Sequence, residues 1–120
     1  MNNFDIGKLN TLIAARQEIQ GFYLRGEDPF DQVLLPNAYI PKGFKVGDEI
    51  NVFVYLDNEE RVTATTLIPH IQLNDFAALT VAEVNRMGAF MDMGIVKQLL
   101  IPYKEQAFPM EEGKTYLVYM

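Results

Sequence analysis

The stretch that decides the fold is GDEINVFVYLDNEERVTATT at residues 47–66, and its opening recurs as GKTYLVYM at residues 113–120. Both copies start with glycine and continue as an alternation of side chains, which is typical of a β-strand with one buried face. The first copy then turns through DNEE into a second strand, RVTATT. The sequence therefore predicts a hairpin in the first copy and only the first strand of that hairpin in the second.

The recurrence extends through most of the chain. IQGFYLRG at 19–26 aligns with RMGAFMDMG at 86–94, and QVLLPNAYIPKG at 32–43 aligns with QLLIPYKEQAFP at 98–109. Three pairs of landmarks keep an offset of 66 or 67 positions: Gly21 and Gly88, Pro36 and Pro102, and Gly47 and Gly113. A constant offset of this kind indicates two tandem structural units.

Each unit is predicted to consist of short strands. In the first unit we expect strands at 11–17, 21–25, 32–36, 49–56 and 61–66, and in the second at 77–84, 88–93, 98–102 and 115–120. Residues 37–44 allow one helical turn, because their proline prevents a longer helix.

These strands predict an all-β fold made of two tandem OB-fold barrels, the second of them incomplete. Five short strands in about 60 residues bury enough apolar surface only by closing into a barrel. We place the first barrel at 1–66, a linker and the start of the second unit at 67–75, and the second barrel at 76–120, without its last strand. Gly21 and Gly88 each open a strongly bent second strand, where a side chain would crowd the corner. We expect Met120 to be a boundary within a longer protein; the alternative is that the N-terminal segment or another copy closes the second barrel.

Composition bounds the function. The 120 residues are 49% hydrophobic with a formal charge of −6, and neither half is basic. No apolar run is long enough to cross a membrane and no export signal is visible, so we expect a cytoplasmic location. Without cysteine there is neither a disulfide nor a thiolate metal site, and His70 is the only histidine. No glycine-rich phosphate loop occurs either, so we expect no catalysis, metal or cofactor.

The motifs quoted above, with VGD before the fourth strand and LDxxxRVxAT after it, resemble the RNA-binding domain named after ribosomal protein S1. Residues 47–66 and 85–106 are also similar to the conserved virulence factor B family, also called the YitL type. The resemblance implies several S1-type barrels followed by a winged-helix domain, in RNA-binding proteins that influence gene expression. Single-stranded RNA and further domains of a longer chain are therefore the expected partners.

The resemblance also implies a binding face. Tyr23 and Phe90 match the aromatic residue of the family's second strand, and Asp57 and Arg61 match an acidic and a basic residue around its last turn. The chain departs from the family at four positions. Gln20 and Met87 replace an aromatic residue before the glycine, and Pro36 and Pro102 replace a histidine at the end of the third strand.

Alternation independently assigns an outer face to the first barrel. The inward side chains of the fourth strand are Ile50, Val52, Val54 and Leu56. Those of the second strand are Phe22 and Leu24. The outward set then provides aromatic rings and guanidinium groups, which is the chemistry that binds single-stranded nucleic acid. Its members are Tyr23, Arg25, Phe53, Tyr55 and Arg61.

The same outward residues also fit a protein-interaction or scaffolding barrel. Outward aromatic rings often pack on a neighbouring domain, and packing is the favoured interpretation for Phe53 and Tyr55. Asp57 and Arg61 fit an ordinary turn residue and a surface ion pair, worth under about 1 kcal/mol. The open strand near Tyr116–Met120 is an edge through which copies of the chain can associate.

Overall fold

The structure is a computed structural model of the chain, and it describes residues 4–120. It is an all-β structure divided by its contacts into two compact units, Met1–Ile68 and Pro69–Met120. The strands of the first unit are β1 (Lys8–Glu18), β2 (Gly21–Arg25), β3 (Gln32–Pro36), β4 (Glu49–Leu56) and β5 (Val62–Thr65). Those of the second are β6 (Phe76–Asn85), β7 (Gly88–Asp92), β8 (Leu99–Pro102) and β9 (Thr115–Tyr119).

The first unit is a closed barrel with strand order β1-β2-β3-β5-β4. Strand β1 pairs with β2. Through its N-terminal half it also pairs with β4, so this one long strand has a hydrogen-bonded neighbour on each edge. The barrel closes where β5 pairs antiparallel with β4 and parallel with β3, the latter through Leu34 and Thr63. This order confirms the predicted five-stranded OB-type barrel.

The inward residues of the barrel form one core. All five strands contribute to it, together with a residue that precedes β1, and Phe44 packs against Phe22 with ring centroids 4.9 Å apart. The core consists of Phe4, Leu12, Ala14, Phe22, Leu24, Val33, Leu35, Val52, Val54 and Ala64. Their strand positions match the predicted alternation in β2 and β4, so burial of one face selects the register.

The second unit is an open four-stranded sheet with order β8-β7-β6-β9. This order repeats β3-β2-β1-β4 of the first unit, and no fifth strand joins β8 to β9 among the described residues. Leu79, Val81, Ala89, Met91 and Val118 are buried on its inner side. The prediction of a second, incomplete barrel is therefore confirmed.

The repeated glycine has the predicted steric cause. Gly21 has φ +151°, and a Cβ atom placed on it would lie 2.1 Å from the carbonyl oxygen of Leu35. Gly88 has φ +143°, and its Cβ would lie 2.3 Å from the carbonyl oxygen of Ile101. Both approaches are far inside van der Waals contact, so the neighbouring strand can come this close only to a residue without a side chain.

Strands β2, β3 and β4 have the predicted bounds, whereas β1 begins at Lys8, three residues earlier than predicted. The extension exists because Lys8, Leu9 and Asn10 pair with β4, a contact that the local pattern does not reveal. Asn37–Tyr39 forms the predicted helical turn as a 3-10 helix, and Tyr103–Glu105 forms a second one that was not predicted. Within residues 4–120, no helix is long and apolar enough to span a membrane.

Candidate nucleic-acid interface

The pairing registers link five outward side chains, one from each strand, in a row around the first barrel. Arg16 on β1 lies opposite Tyr23 on β2, Tyr23 opposite Leu34 on β3, Leu34 opposite Thr63 on β5, and Thr63 opposite Tyr55 on β4. None of the five belongs to the core, and all are half-buried or exposed. We call this set the outer row. In this row the predicted Tyr23 lies between Arg16 and Leu34, and the predicted Tyr55 lies beside Thr63.

Arg16 is the member of the outer row that sequence reasoning missed. Its guanidinium carbon lies 4.0 Å above the centroid of the Tyr23 ring, a cation–π contact. The guanidinium group donates from Nε to Oε1 of Gln32 at 3.1 Å and from Nη1 to Oε2 of Glu18 at 2.8 Å. The Tyr23 hydroxyl accepts a hydrogen bond from Nε2 of Gln20 at 2.9 Å. Arg16 and Tyr23 are therefore held as one stacked pair.

Arg25 lies at the end of β2, two residues beyond Tyr23 and on the same outward side. It pairs across the strands with Gln32 and with Ile13, and its Nη1 donates to the carbonyl oxygen of Gly26 at 2.9 Å. It is half-buried. The predicted Tyr23 and Arg25 thus extend one cationic and aromatic surface along β2.

Asp57 and Arg61 form the turn between β4 and β5. The Asp57 carboxylate accepts hydrogen bonds from the backbone N–H groups of Glu59 and Arg61, at 2.8 and 2.9 Å. It also accepts from Nε of Arg61 at 3.0 Å, and Nη2 of Arg61 lies 3.3 Å from a Glu59 oxygen. The backbone N–H of Arg61, more than any other group, lowers the pKa of the Asp57 carboxyl. Arg61 remains exposed, but it is shared between two carboxylates.

Tyr55 ends the outer row and stacks on Phe53, with centroids 6.0 Å apart and planes 18° from parallel. Burial, and then the nearby Tyr39 and Asp57, raise the pKa of the Tyr55 phenol. Its hydroxyl is therefore neutral at physiological pH. Tyr55 thus combines a partly exposed ring with a hydrogen-bond donor.

Phe53 is a candidate contact for which the sequence favours packing, and the structure buries it. Phe53 lies outside the barrel core, as alternation predicts, yet only 1% of it is exposed, and its cross-strand partner Thr65 is equally buried. Strand parity determines the side of the sheet on which a side chain lies. Whether that side reaches solvent depends on what packs there, including the stacked Tyr55 ring. A buried ring cannot serve as a stacking surface, and the alternative of packing describes Phe53 better.

In the second unit Phe90 occupies the place of Tyr23. It is half-buried and lies opposite Glu83 on β6 and Leu100 on β8. The position that holds a cation beside Tyr23 therefore holds an anion beside Phe90. The described residues contain no cluster of three or more histidine, cysteine or acidic side chains able to bind a metal ion.

A small barrel in this strand order, with aromatic and guanidinium groups across its outer face, defines the class of S1-type OB barrels. The S1 domain family model matches residues 6–67, and the chain belongs to that family. This match covers the first unit, in which the outer row lies.

Two curated proteins illustrate the relationship. The chain is 33% identical over 116 residues to YitL of Bacillus subtilis (strain 168), an alignment that covers 92% of this chain and 38% of YitL. It is 31% identical over 61 residues to conserved virulence factor B of Staphylococcus saprophyticus, covering 51% of this chain and 20% of that protein. The chain therefore spans 38% of the length of YitL and 20% of that of conserved virulence factor B.

A solved structure shares the fold. It is a multidomain protein with nucleic acid binding domains from Streptococcus pneumoniae. The TM-score is 0.75 at 17% identity, over 95% of this chain and 41% of that one. At this identity the match shows a common architecture for the chain.

Proposed function

We propose that the first unit binds single-stranded RNA through outward residues of the outer row and the neighbouring Arg25 and Arg61, without catalysis, as a module of a cytoplasmic bacterial protein that regulates gene expression. The observation that supports the proposal most is the contact between Arg16 and Tyr23 on the outer surface of the closed barrel. Membership of the S1 domain family supports it, as does the likeness to a solved protein described as having nucleic acid binding domains.

Each group has a role in the proposed complex. Bases stack on Tyr23 and Tyr55, and such stacking contributes about 1–3 kcal/mol per base. Arg25 and Arg61 neutralise phosphates, and a guanidinium group can hold a phosphate through two parallel hydrogen bonds. Asp57 fixes the direction of Arg61 through the 3.0 Å ion pair.

The net charge of −6 sets the expected strength of binding. The field of the whole chain repels phosphate, so the contact depends on a local surface and weakens with salt. We expect the logarithm of the affinity to fall with the logarithm of salt concentration, with a slope of roughly −0.7 per neutralised phosphate. Two to four phosphate contacts would give moderate affinity at low salt and little at high salt.

The test is a titration of the protein into fluorescently labelled single-stranded RNA at low and moderate salt. Tyr23→Ala should weaken binding by about 5- to 150-fold, the equivalent of one stacked base. Arg61→Ala should weaken it less and make the salt slope shallower by about 0.7. Phe108→Ala and Lys42→Ala are matched controls, because these exposed residues lie off the outer row.

The outcomes separate the proposal from its alternative. Equal losses in the Tyr23 variant and the Phe108 control would show that the face is wrongly assigned. Absence of binding even at low salt would contradict RNA recognition by this chain.

A protein-interaction barrel is the second candidate, and a specific observation favours it. Phe30 and Ile19 project from the first unit with 92% and 96% of their surface exposed, and Arg61 is already paired with two carboxylates. Large exposed apolar side chains suit a protein partner better than phosphate. Under this hypothesis, changing Phe30 and Ile19 to serine would abolish capture of the partner and leave the RNA titration unchanged.

A further inference from the structure

The two units carry the same irregularity in the same place. The pairing of β1 with β2 shifts register between Ala14 and Arg16, and that of β6 with β7 shifts between Val81 and Glu83. This repeated bulge fixes the correspondence between the outer faces of the two units without reference to side-chain type. Three positions then match one to one: Arg16 with Glu83, Tyr23 with Phe90, and Arg25 with Asp92.

Charge is reversed at two of these three positions. The first unit presents Arg16 and Arg25 on either side of an aromatic ring, and the second presents Glu83 and Asp92 on either side of one. Both acidic residues are exposed. The basic residues of the second unit all lie outside its strands, at Arg86, Lys97, Lys104 and Lys114. The ring is thus retained while its flanking charges change sign.

The cation of the first unit is also held in place for stacking. The guanidinium carbon of Arg16 lies 4.0 Å over the Tyr23 ring, with Gln32 and Glu18 as hydrogen-bond partners, while half of its side-chain surface stays exposed. A guanidinium group that is already positioned loses less conformational freedom when it stacks on a base. Glu18 compensates part of its charge, which favours a stacking role over a purely phosphate-binding one.

We propose, resting on the proposed function above, that the chain has one RNA-binding face and that it lies on the first unit. Arg16 is a further contact residue there, on whose exposed surface a base stacks. The equivalent face of the second unit excludes single-stranded RNA because Glu83 and Asp92 repel the phosphates beside Phe90. The two units therefore differ in RNA binding, although the strand order β8-β7-β6-β9 of the second repeats β3-β2-β1-β4 of the first.

The test uses the whole chain, labelled with nitrogen-15, and a six-nucleotide oligouridine at low salt. We expect amide shifts in β1, β2 and β3 and none of comparable size in β6, β7 and β8, with a stoichiometry of one oligonucleotide per chain. Arg16→Glu should reduce affinity at least tenfold. The amide spectrum shows at the same time whether each variant remains folded.

A second experiment tests whether the second unit can be made to bind RNA. The double variant Glu83→Arg with Asp92→Asn should add amide shifts in β6 and β7 and raise the stoichiometry to two oligonucleotides per chain. Asparagine is chosen at position 92 because it keeps the oxygen that accepts the 2.9 Å hydrogen bond from the Gly94 N–H. Glu105→Arg with Asp75→Asn is the control, since it changes the net charge equally at exposed positions off this face.

Three results would overturn the proposal. Shifts of similar size in both units of the unaltered chain would show that the charge reversal does not exclude RNA. An Arg16→Glu variant with full affinity would remove Arg16 from the contact, although binding by the chain would stand. No binding by the unaltered chain would instead refute the proposed function, and the inference with it.

Discussion

At the scale of single residues, Tyr23 is held on the outer face by groups from three positions. Arg16 covers its ring, Gln20 donates to its hydroxyl, and Leu34 lies opposite it on β3. A ring fixed in this way loses little entropy when a base stacks beside it. Gln20 occupies a position at which the family often carries an aromatic residue, so here a hydrogen bond to the tyrosine replaces a second ring.

Asp57 gives a prediction that depends on pH. Hydrogen bonds from backbone N–H groups stabilise its charged form, so its pKa is lowered from the ordinary 3.8 in the folded chain. A depressed folded pKa contributes stability above 3.8 that is lost as the pH falls through the lowered value. Asp57→Asn should therefore melt at a lower temperature than the unaltered chain at pH 7, and the difference should shrink below about pH 4. Thermal melts followed by circular dichroism across this range would measure it.

Glu59→Gln is the matched control for that prediction. Its carboxylate meets the same Arg61 guanidinium group at 3.3 Å, but no backbone N–H group of the turn donates to it. We expect its melting temperature to follow that of the unaltered chain. A constant difference between Asp57→Asn and the unaltered chain down to pH 2 would show that the charge of Asp57 is irrelevant to the turn.

The sequence located some of these residues and not others for a definite reason. Tyr23 and Tyr55 lie in strands of regular alternation, so their parity could be read directly. Arg16 lies after the bulge, and strict alternation from the buried Leu12 and Ala14 would turn it inward. A charged residue at a position where alternation predicts a buried side chain could have indicated the bulge. The burial of Phe53 depends on packing outside the barrel, which no period-two pattern contains.

At the scale of secondary structure, the start of β2 determines whether the barrel can close. Gly21 pairs with Pro36, and the tight approach of β3 leaves no space for a Cβ atom. Gly21→Ala should destabilise the first unit by about 1–3 kcal/mol from backbone strain alone, and by more once the clash with Leu35 is included. Urea unfolding followed by fluorescence or circular dichroism would measure the change in the free energy of unfolding.

Gly43→Ala separates the effect of backbone strain from the effect of the clash with β3. Gly43 has φ +80°, which also disfavours a side chain, but nothing lies within 4 Å of the added Cβ atom. We expect a smaller loss of stability there than at Gly21. Equal losses at the two positions would mean that the conformation, and not contact with β3, explains why glycine is needed.

At the scale of the whole chain, the two units differ in how their sheets end. In the first unit β5 pairs with both β3 and β4, so every strand has two neighbours. In the second, β8 and β9 each have one neighbour among the described residues, and a groove of about 790 Å³ lined by Leu100, Phe108 and Val118 adjoins them. The sequence predicted this difference, because GKTYLVYM at 113–120 repeats only the opening of the segment at 47–66.

An unpaired strand edge favours association between chains, since its N–H and C=O groups can pair with another strand. We expect the chain to self-associate through Tyr116–Met120 as concentration rises, with the mass from light scattering approaching twice the 13.7 kDa of one chain. Leu117 is 73% exposed on β9, and Leu117→Lys should keep the chain monomeric because lysine on an edge strand opposes pairing. Phe30→Lys, an equal change at a residue 92% exposed in the first unit, is the control. If both variants reduced the mass equally, general apolar exposure would explain association; if neither did, β9 would not be the contact.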